Sequence, residues 1–227
     1  MSDARTTSAI SASTVRDRLE EVRGRIAGVG GDPERVRVLA VTKTFPPSAV
    51  LAARGAGLFE FGENYADELV EKAVALALDD QIRWHFIGNI QRNKLARLAP
   101  HTSVYEAVTR SAEAVEIARR ARGAQIFVEV GATGLLGRPG VAPDRVADLV
   151  AELRALEVDV RGLMTVAAPG GGSAASKVFE LVATLALDLF LPECSMGMSD
   201  DLEEAVRAGS TEVRVGTALF GPRDARG

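Results

Sequence analysis

The chain has few of the residues that build several common kinds of site. Among its 227 residues are one cysteine, Cys194, and two histidines. A disulfide within the chain is therefore impossible, and a metal site built from several histidine or cysteine ligands is not expected. The net charge of -4 lacks the basic excess of a nucleic-acid surface. The most apolar window, 181–191, is too short to span a bilayer and contains Asp188.

The first thirteen residues differ in composition from the rest. Residues 1–13 are rich in serine, threonine and alanine and have no apolar segment, so we expect a disordered tail rather than a signal peptide. Residues 14–227 show no linker and predict a single domain. The lone cysteine suits a reducing compartment, and the predicted location is the cytoplasm. Without a sustained exposed apolar heptad, a monomer is expected.

Short apolar runs alternate with amphipathic helical segments along the whole domain. Each strand and helix pair is close to the minimum length for a parallel crossover, so the alternation predicts a parallel sheet. Eight such units in a chain of this size favour a single-domain (β/α)8 TIM barrel, with a doubly wound open sheet as the alternative. The predicted strands are 36–43, 58–61, 83–87, 103–106, 125–130, 158–164, 193–196 and 212–215.

Lys43 ends the first of these strands. Pro46 and Pro47 follow closely and cannot donate to a sheet ladder, so the strand must stop before them. Ligands bind at the carboxyl ends of parallel strands in barrels and open sheets. A partly shielded lysine there can lose its proton and attack a carbonyl, although a lysine that only reaches out to solvent is the alternative.

Two glycine- and serine-containing turns follow the seventh and eighth predicted strands. They comprise Ser195 to Ser199 and Arg214 to Thr217. Turns in these positions often bind a phosphate through backbone N–H groups, glycines that allow close approach and hydroxyl donors. The alternative is that serine and glycine simply form turns and caps, with Ser199 capping the next helix.

A lysine and a phosphate cradle together suggest pyridoxal 5′-phosphate, which carries an aldehyde, a phosphate and a ring nitrogen. Arg214 could point inward at that nitrogen and keep it unprotonated, which weakens the ring as an electron sink. A solvated charge at the strand end is the alternative for Arg214. His85 is either a site residue or a hydrogen-bonded core histidine, and Glu63 could cap the following helix.

Several sequence blocks occur in the order found in one known family. They are Val41-Thr42-Lys43-Thr44, Phe61-Gly62-Glu63-Asn64-Tyr65, Trp84-His85-Phe86-Ile87-Gly88, Gly162-Leu163-Met164-Thr165, Ser195-Met196-Gly197-Met198-Ser199 and Arg214-Val215-Gly216-Thr217. Together they resemble the YggS/PROSC family of pyridoxal phosphate homeostasis proteins, over nearly the whole chain.

The resemblance implies a barrel like the N-terminal domain of alanine racemase, with pyridoxal 5′-phosphate held as an internal aldimine (a Schiff base) on Lys43. It also implies how each remaining site residue contacts the cofactor: the phosphate by Ser195, Ser199, Gly216 and Thr217, the ring nitrogen by Arg214, and the ring by Asn64, His85 and Met164. It assigns no catalytic residue. The family role is to buffer the cofactor and to deliver it to apo-enzymes, without established turnover.

Two enzymatic alternatives stay open at this point. A pyridoxal-phosphate-dependent amino-acid racemase would use the same barrel but needs a second acid–base group on the opposite face of the cofactor. A phosphosugar enzyme could use Lys43 as a Schiff base with its substrate. Visible absorbance separates the second alternative from the others, because a sugar imine does not absorb there.

Overall fold

Eight parallel strands close into one barrel in the computed structural model, which describes residues 10–134, 139–168 and 171–222. Each strand pairs with the next along the chain, and β8 pairs with β1. The predicted barrel is therefore confirmed, and the open sheet is excluded. The strands are β1 (Arg37–Val41), β2 (Glu60–Glu63), β3 (Arg83–Phe86), β4 (Thr102–Val108), β5 (Gln125–Glu129), β6 (Asp159–Met164), β7 (Glu193–Ser195) and β8 (Glu212–Val215).

Helices connect the strands and cover the outside of the barrel. Short 3-10 turns, Arg92–Lys94 and Pro143–Arg145, precede two of them. No helix in the described ranges combines the length and the apolar composition needed to cross a membrane. The helices are α1 (Ala12–Gly28), α2 (Pro47–Gly55), α3 (Ala66–Ala75), α4 (Leu95–Leu98), α5 (Ser111–Arg120), α6 (Val146–Ala155), α7 (Gly172–Asp188), α8 (Leu202–Arg207) and α9 (Thr217–Phe220).

The N-terminal boundary differs from the expected one. Residues 1–9 of the expected tail lie outside the described residues, whereas Ala12 and Ser13 already belong to α1. The helix begins there because the Ser11 hydroxyl accepts a hydrogen bond from the Thr14 N–H (3.1 Å) and caps the first turn. Domain limits at 14 and 227 stay predictions, and residues 223–227 are outside the described part.

Side chains alternate between two different surroundings along each strand. In β1, Val38 and Ala40 pack in the large core between the sheet and the helices. Arg37, Leu39 and Val41 therefore face the barrel interior. A second, small apolar cluster fills part of that interior and consists of Val104, Ala107, Phe127 and Met164.

The amino-terminal end of the barrel interior is charged rather than apolar. Arg37 contacts carboxylates from three other strands: Glu60 (2.9 Å), Glu193 (2.5 Å) and Glu212 (2.7 Å). These contacts tie β1, β2, β7 and β8 together below the mouth. They fix the relative heights of the strands that carry the candidate site.

Candidate functional site

Lys43 and the last turn of the chain leave neighbouring strands at the same end of the barrel. Strand β1 is in register with β8, with Ala40 opposite Val215. Lys43 follows three residues after Ala40, and Thr217 two residues after Val215, so both come after the carboxyl ends of two paired strands, at the same end of the barrel. The Phe45 and Phe220 rings, which follow on each side, are 5.2 Å apart between centroids.

Ser199 contributes to the rim but not as predicted for a helix cap. Its hydroxyl accepts a hydrogen bond from the Ala218 N–H (3.2 Å), in the first turn of α9. The residue that precedes α8 is Asp201, whose carboxylate accepts from the Met198 N–H (2.6 Å). The cap prediction for Ser199 is therefore wrong, and its hydroxyl lies beside Gly216 and Thr217 instead.

Arg214 lies inside the barrel just below this rim and is almost fully buried. Its guanidinium donates to the Ser195 carbonyl (2.6 Å), the Ser195 hydroxyl (2.8 Å) and the Thr165 carbonyl (2.7 Å). The solvated strand-end charge considered for Arg214 is therefore excluded. The arginine is held by the ends of β6 and β7, with a fixed orientation.

Ser195 is equally buried and uses its hydroxyl within the barrel. The hydroxyl donates to Glu106 (2.7 Å) while it accepts from Arg214. A hydrogen bond to a phosphate would require this hydroxyl to give up its donation to Glu106. The structure thus groups Ser195 with Arg214 rather than with Ser199 and Thr217.

His85 lies deeper than Arg214 and Ser195, in the interior of the barrel. Its Nδ1 is 2.6 Å from Glu106, and its Nε2 is 3.2 Å from Glu60. Burial by itself would lower the pKa of His85, but the two carboxylates and the nearby Glu212 outweigh it and raise that pKa to about 9. His85 is therefore the hydrogen-bonded core histidine that the sequence also allowed, and its contact with a ligand stays a prediction.

The pKa values of two carboxyl groups near His85 are shifted in opposite directions. Burial acts to raise the pKa of Glu106, but the hydrogen bond to His85 and the charge of Arg214 lower it overall. Burial and the like charge of Glu106 raise the pKa of Glu212 to about 7. Ligand atoms of Glu60, His85 and Glu212 lie within 4.8 Å of one another, as in a metal site, but Arg37 already supplies the cation there.

Asn64 and Met164 complete the predicted set at the ends of their strands. Met164 is the last residue of β6 and packs in the small interior cluster. Asn64 follows β2 and is half-buried. The loop after β3 lies against the end of β2, since the Ile87 N–H donates to the Glu63 carbonyl (2.9 Å).

Sequence reasoning missed a buried ion pair behind Lys43. Lys72 in α3 donates to Glu63 (2.6 Å) and to the Thr42 carbonyl (2.7 Å). Glu63 is fully buried and does not cap α3, so that prediction is wrong. The spacing of Glu68 and Lys72 by four residues on one helix was the available indication, although it ordinarily describes a surface pair.

Comparison with known proteins agrees with the barrel fold. Residues 10–224 match the family described as "Alanine racemase, N-terminal domain". The chain belongs to this family. Over 224 residues it is 40% identical to a pyridoxal phosphate homeostasis protein of Pseudomonas aeruginosa, with coverage of 93% of this chain and 97% of the relative. The corresponding Escherichia coli protein is 35% identical over 229 residues, which cover 91% and 95% of the two chains.

A solved structure with a bound ligand is among the similar folds. PipY of Synechococcus elongatus, solved with pyridoxal 5′-phosphate bound, superposes with a TM-score of 0.79 at 32% identity. The match covers 91% of this chain and all of PipY. The resemblance to the YggS/PROSC family inferred from the sequence blocks is therefore confirmed.

Proposed function

We propose that this chain binds pyridoxal 5′-phosphate as a Schiff base on Lys43 and serves in cofactor homeostasis rather than in turnover. The observation that supports the proposal is the pairing of β1 with β8, because Lys43 follows β1 and the hydroxyl-rich turn follows β8. The names of the relatives and the ligand of PipY support the choice of cofactor.

The residues present fit the separate chemical groups of this cofactor. Lys43 would hold the cofactor through its aldehyde, because an unprotonated lysine amine can condense with an aldehyde with release of water. The Gly216–Thr217 turn with the Ser199 hydroxyl suits the phosphate. Arg214 suits the ring nitrogen, because its fixed positive charge opposes protonation there. Asn64 and Met164 flank the ring.

Two predicted contacts take a supporting role in this proposal. Ser195 holds the Arg214 guanidinium, and His85 holds the Glu106 carboxylate that binds Ser195. Both residues therefore act on the ring nitrogen through Arg214. The direct phosphate contact of Ser195 stays a prediction from the sequence.

The assignment of Lys43 is tested by absorbance, reduction and peptide mapping. Added pyridoxal 5′-phosphate should give a visible Schiff-base band, and borohydride should fix the label on Lys43. Lys43→Ala should lose the band yet still bind pyridoxine 5′-phosphate, which lacks the aldehyde. The matched control is Lys94→Ala, a lysine beyond β3, which should keep both properties. A wild-type protein that stays colourless, or a label on another lysine, contradicts the proposal.

The homeostasis role is tested by transfer and by turnover. Loaded protein mixed with an apo-form of a pyridoxal-phosphate enzyme should restore that enzyme's activity, whereas alanine should not be racemised. Tyr105 and Cys194 are both buried between the sheet and the helices, which leaves Tyr65, an exposed residue next to Asn64, as the tyrosine that the turnover assay tests as a second acid–base group. Sustained racemisation by the wild-type protein that is lost in Lys43→Ala would contradict the homeostasis role and indicate a racemase.

A further inference from the structure

The backbone on the amino-terminal side of Lys43 is held by the buried ion pair outside the barrel. The Thr42 carbonyl accepts from Lys72 Nζ (2.7 Å), and the Thr42 hydroxyl donates to Glu63 Oε1 (2.6 Å). Lys72 Nζ also donates to the same Glu63 oxygen (2.6 Å). Lys72 is 3% exposed and Glu63 is not exposed at all. The carbonyl and the hydroxyl of Thr42 are therefore both held by one charged pair.

The backbone on the carboxyl-terminal side of Lys43 is held by a second contact from the same helix. Thr44 has a φ of 70°, in the left-handed region that a β-branched residue rarely adopts. Its N–H donates to the Glu68 carboxylate (2.7 Å), and the Phe45 N–H closes a turn onto the Thr42 carbonyl (3.0 Å). A strained conformation of this kind persists only where surrounding contacts enforce it.

Stability alone does not account for this arrangement. A buried ion pair gains little over an apolar pair of the same volume, because removing two charges from water costs about as much as their attraction returns. Lys72 nevertheless lies within 3.5 Å of a second carboxylate, that of Glu68. All three charged groups converge on the two residues that flank Lys43.

We propose that Lys72, together with Glu63 and Glu68, is a positioning group that holds the Lys43 backbone so that its amine meets an aldehyde at the barrel mouth. This inference rests on the proposed function of Lys43. A lysine side chain has four rotatable bonds, so its amine can occupy many positions. Fixing the Cα of Lys43 limits these positions and keeps the amine near the place where the aldehyde would bind. Condensation is much faster when the amine is already held in the reactive geometry than when it samples many positions.

The test compares the rate of Schiff-base formation with the affinity for an analogue that cannot condense. In Lys72→Met/Glu63→Leu the pair is replaced by apolar groups, and in Glu68→Ala the acceptor for Thr44 is removed. Both variants should bind pyridoxine 5′-phosphate with wild-type affinity by calorimetry. Their rate constants for the visible band with pyridoxal 5′-phosphate should fall at least about tenfold. Leu153→Ala, a buried residue of α6 far along the chain, controls for lost stability and should keep the wild-type rate.

Each outcome separates this inference from the proposal on which it rests. A wild-type protein that forms no band refutes the proposed function itself. If the wild-type protein forms the band, and Glu68→Ala and the double variant form it at the same rate, only the positioning role is refuted. Loss of pyridoxine 5′-phosphate affinity in step with the rate also overturns it, since the damage would then be general. If the double variant does not fold, Glu68→Ala, whose side chain is only partly buried, decides alone.

Discussion

Raising the pH from 7 to 9 should weaken the fold through His85. The ring is buried between Glu60, Glu106 and Glu212, with Arg37 bound to two of these carboxylates. The pKa of His85 is raised from 6.5 to about 9 by these carboxylates against the effect of burial. The folded state therefore keeps a proton that the unfolded chain has already released. The resulting stabilisation is complete below pH 6.5 and is lost as the pH rises through about 9.

The magnitude follows from the separation between the two pKa values. Each pKa unit corresponds to ~1.4 kcal/mol, so about 2 to 3 kcal/mol of unfolding free energy should disappear between pH 7 and pH 9. Among the other buried groups, Glu212 titrates at the lower edge of this window and adds a smaller loss of the same sign, whereas Cys194 and Tyr105 titrate above it. The pKa of Glu212 is raised to about 7, whereas burial raises those of Cys194 and Tyr105 to about 11 and about 12.

Urea unfolding followed by circular dichroism at pH 7, 8 and 9 measures this loss. The matched variant is His85→Asn, whose amide can still donate to Glu106 but carries no titrating proton. Its free energy of unfolding should be lower than wild type at pH 7 and should change by less than about 0.5 kcal/mol up to pH 9. A wild-type curve that is flat across this range, or an equal fall in His85→Asn, would refute the account of His85 as a buried cation.

Three further expectations concern single positions. Cys194 should react with a thiol reagent only after unfolding, because it is buried and its pKa is raised to about 11; fast reaction of the native protein would contradict this. Gly162→Ala should cost about 1 to 3 kcal/mol or more in thermal or urea unfolding, since a Cβ would overlap the Glu193 carbonyl oxygen across the β6–β7 pair, whereas an unchanged midpoint would show that the strands can separate freely. Thr44→Gly should be more stable than Thr44→Ala by about 1 kcal/mol, because only glycine adopts a φ of 70° without strain, and the reverse order would show that the strain is absent in solution.

The sequence predicted the strands best where turn residues marked their ends. Strand β8 begins and ends as expected. Strand β1 stops before Pro46, but it ends at Val41 rather than at Lys43, so the prediction that Lys43 is the last residue of the strand is wrong: Lys43 lies in the turn that follows. Strand β2 lies two residues later than predicted, at Glu60–Glu63 rather than 58–61. Apolar composition indicates which residues face the helices, but it does not recognise a strand whose interior side is charged. Glu60 was therefore placed within the predicted strand, although it is the first residue of β2.

The site residues could be predicted because they follow or end strands. How deep each side chain lies inside the barrel could not be predicted. Lys43 and Thr217 reach the rim because parallel strands must present their carboxyl ends together. His85 is the third residue of β3 and Ser195 is the last residue of β7, and both side chains bond to Glu106, which lies within β4. A carboxylate within a buried strand indicates a polar partner, but only the closed barrel shows which partners surround it.

The alternation of side chains along a strand connects the mouth with its support. Thr42 and Glu63 face the helices and bond to Lys72. The residue after each of them, Lys43 and Asn64, therefore faces the opposite side and belongs to the mouth of the barrel. A shift of either strand by one residue would exchange these roles and leave Glu63 inside the barrel without Lys72. The contacts of Arg37 with three strands oppose such a shift. The charged lower end of the barrel therefore acts on the site at the other end, because it fixes which side each of these residues faces.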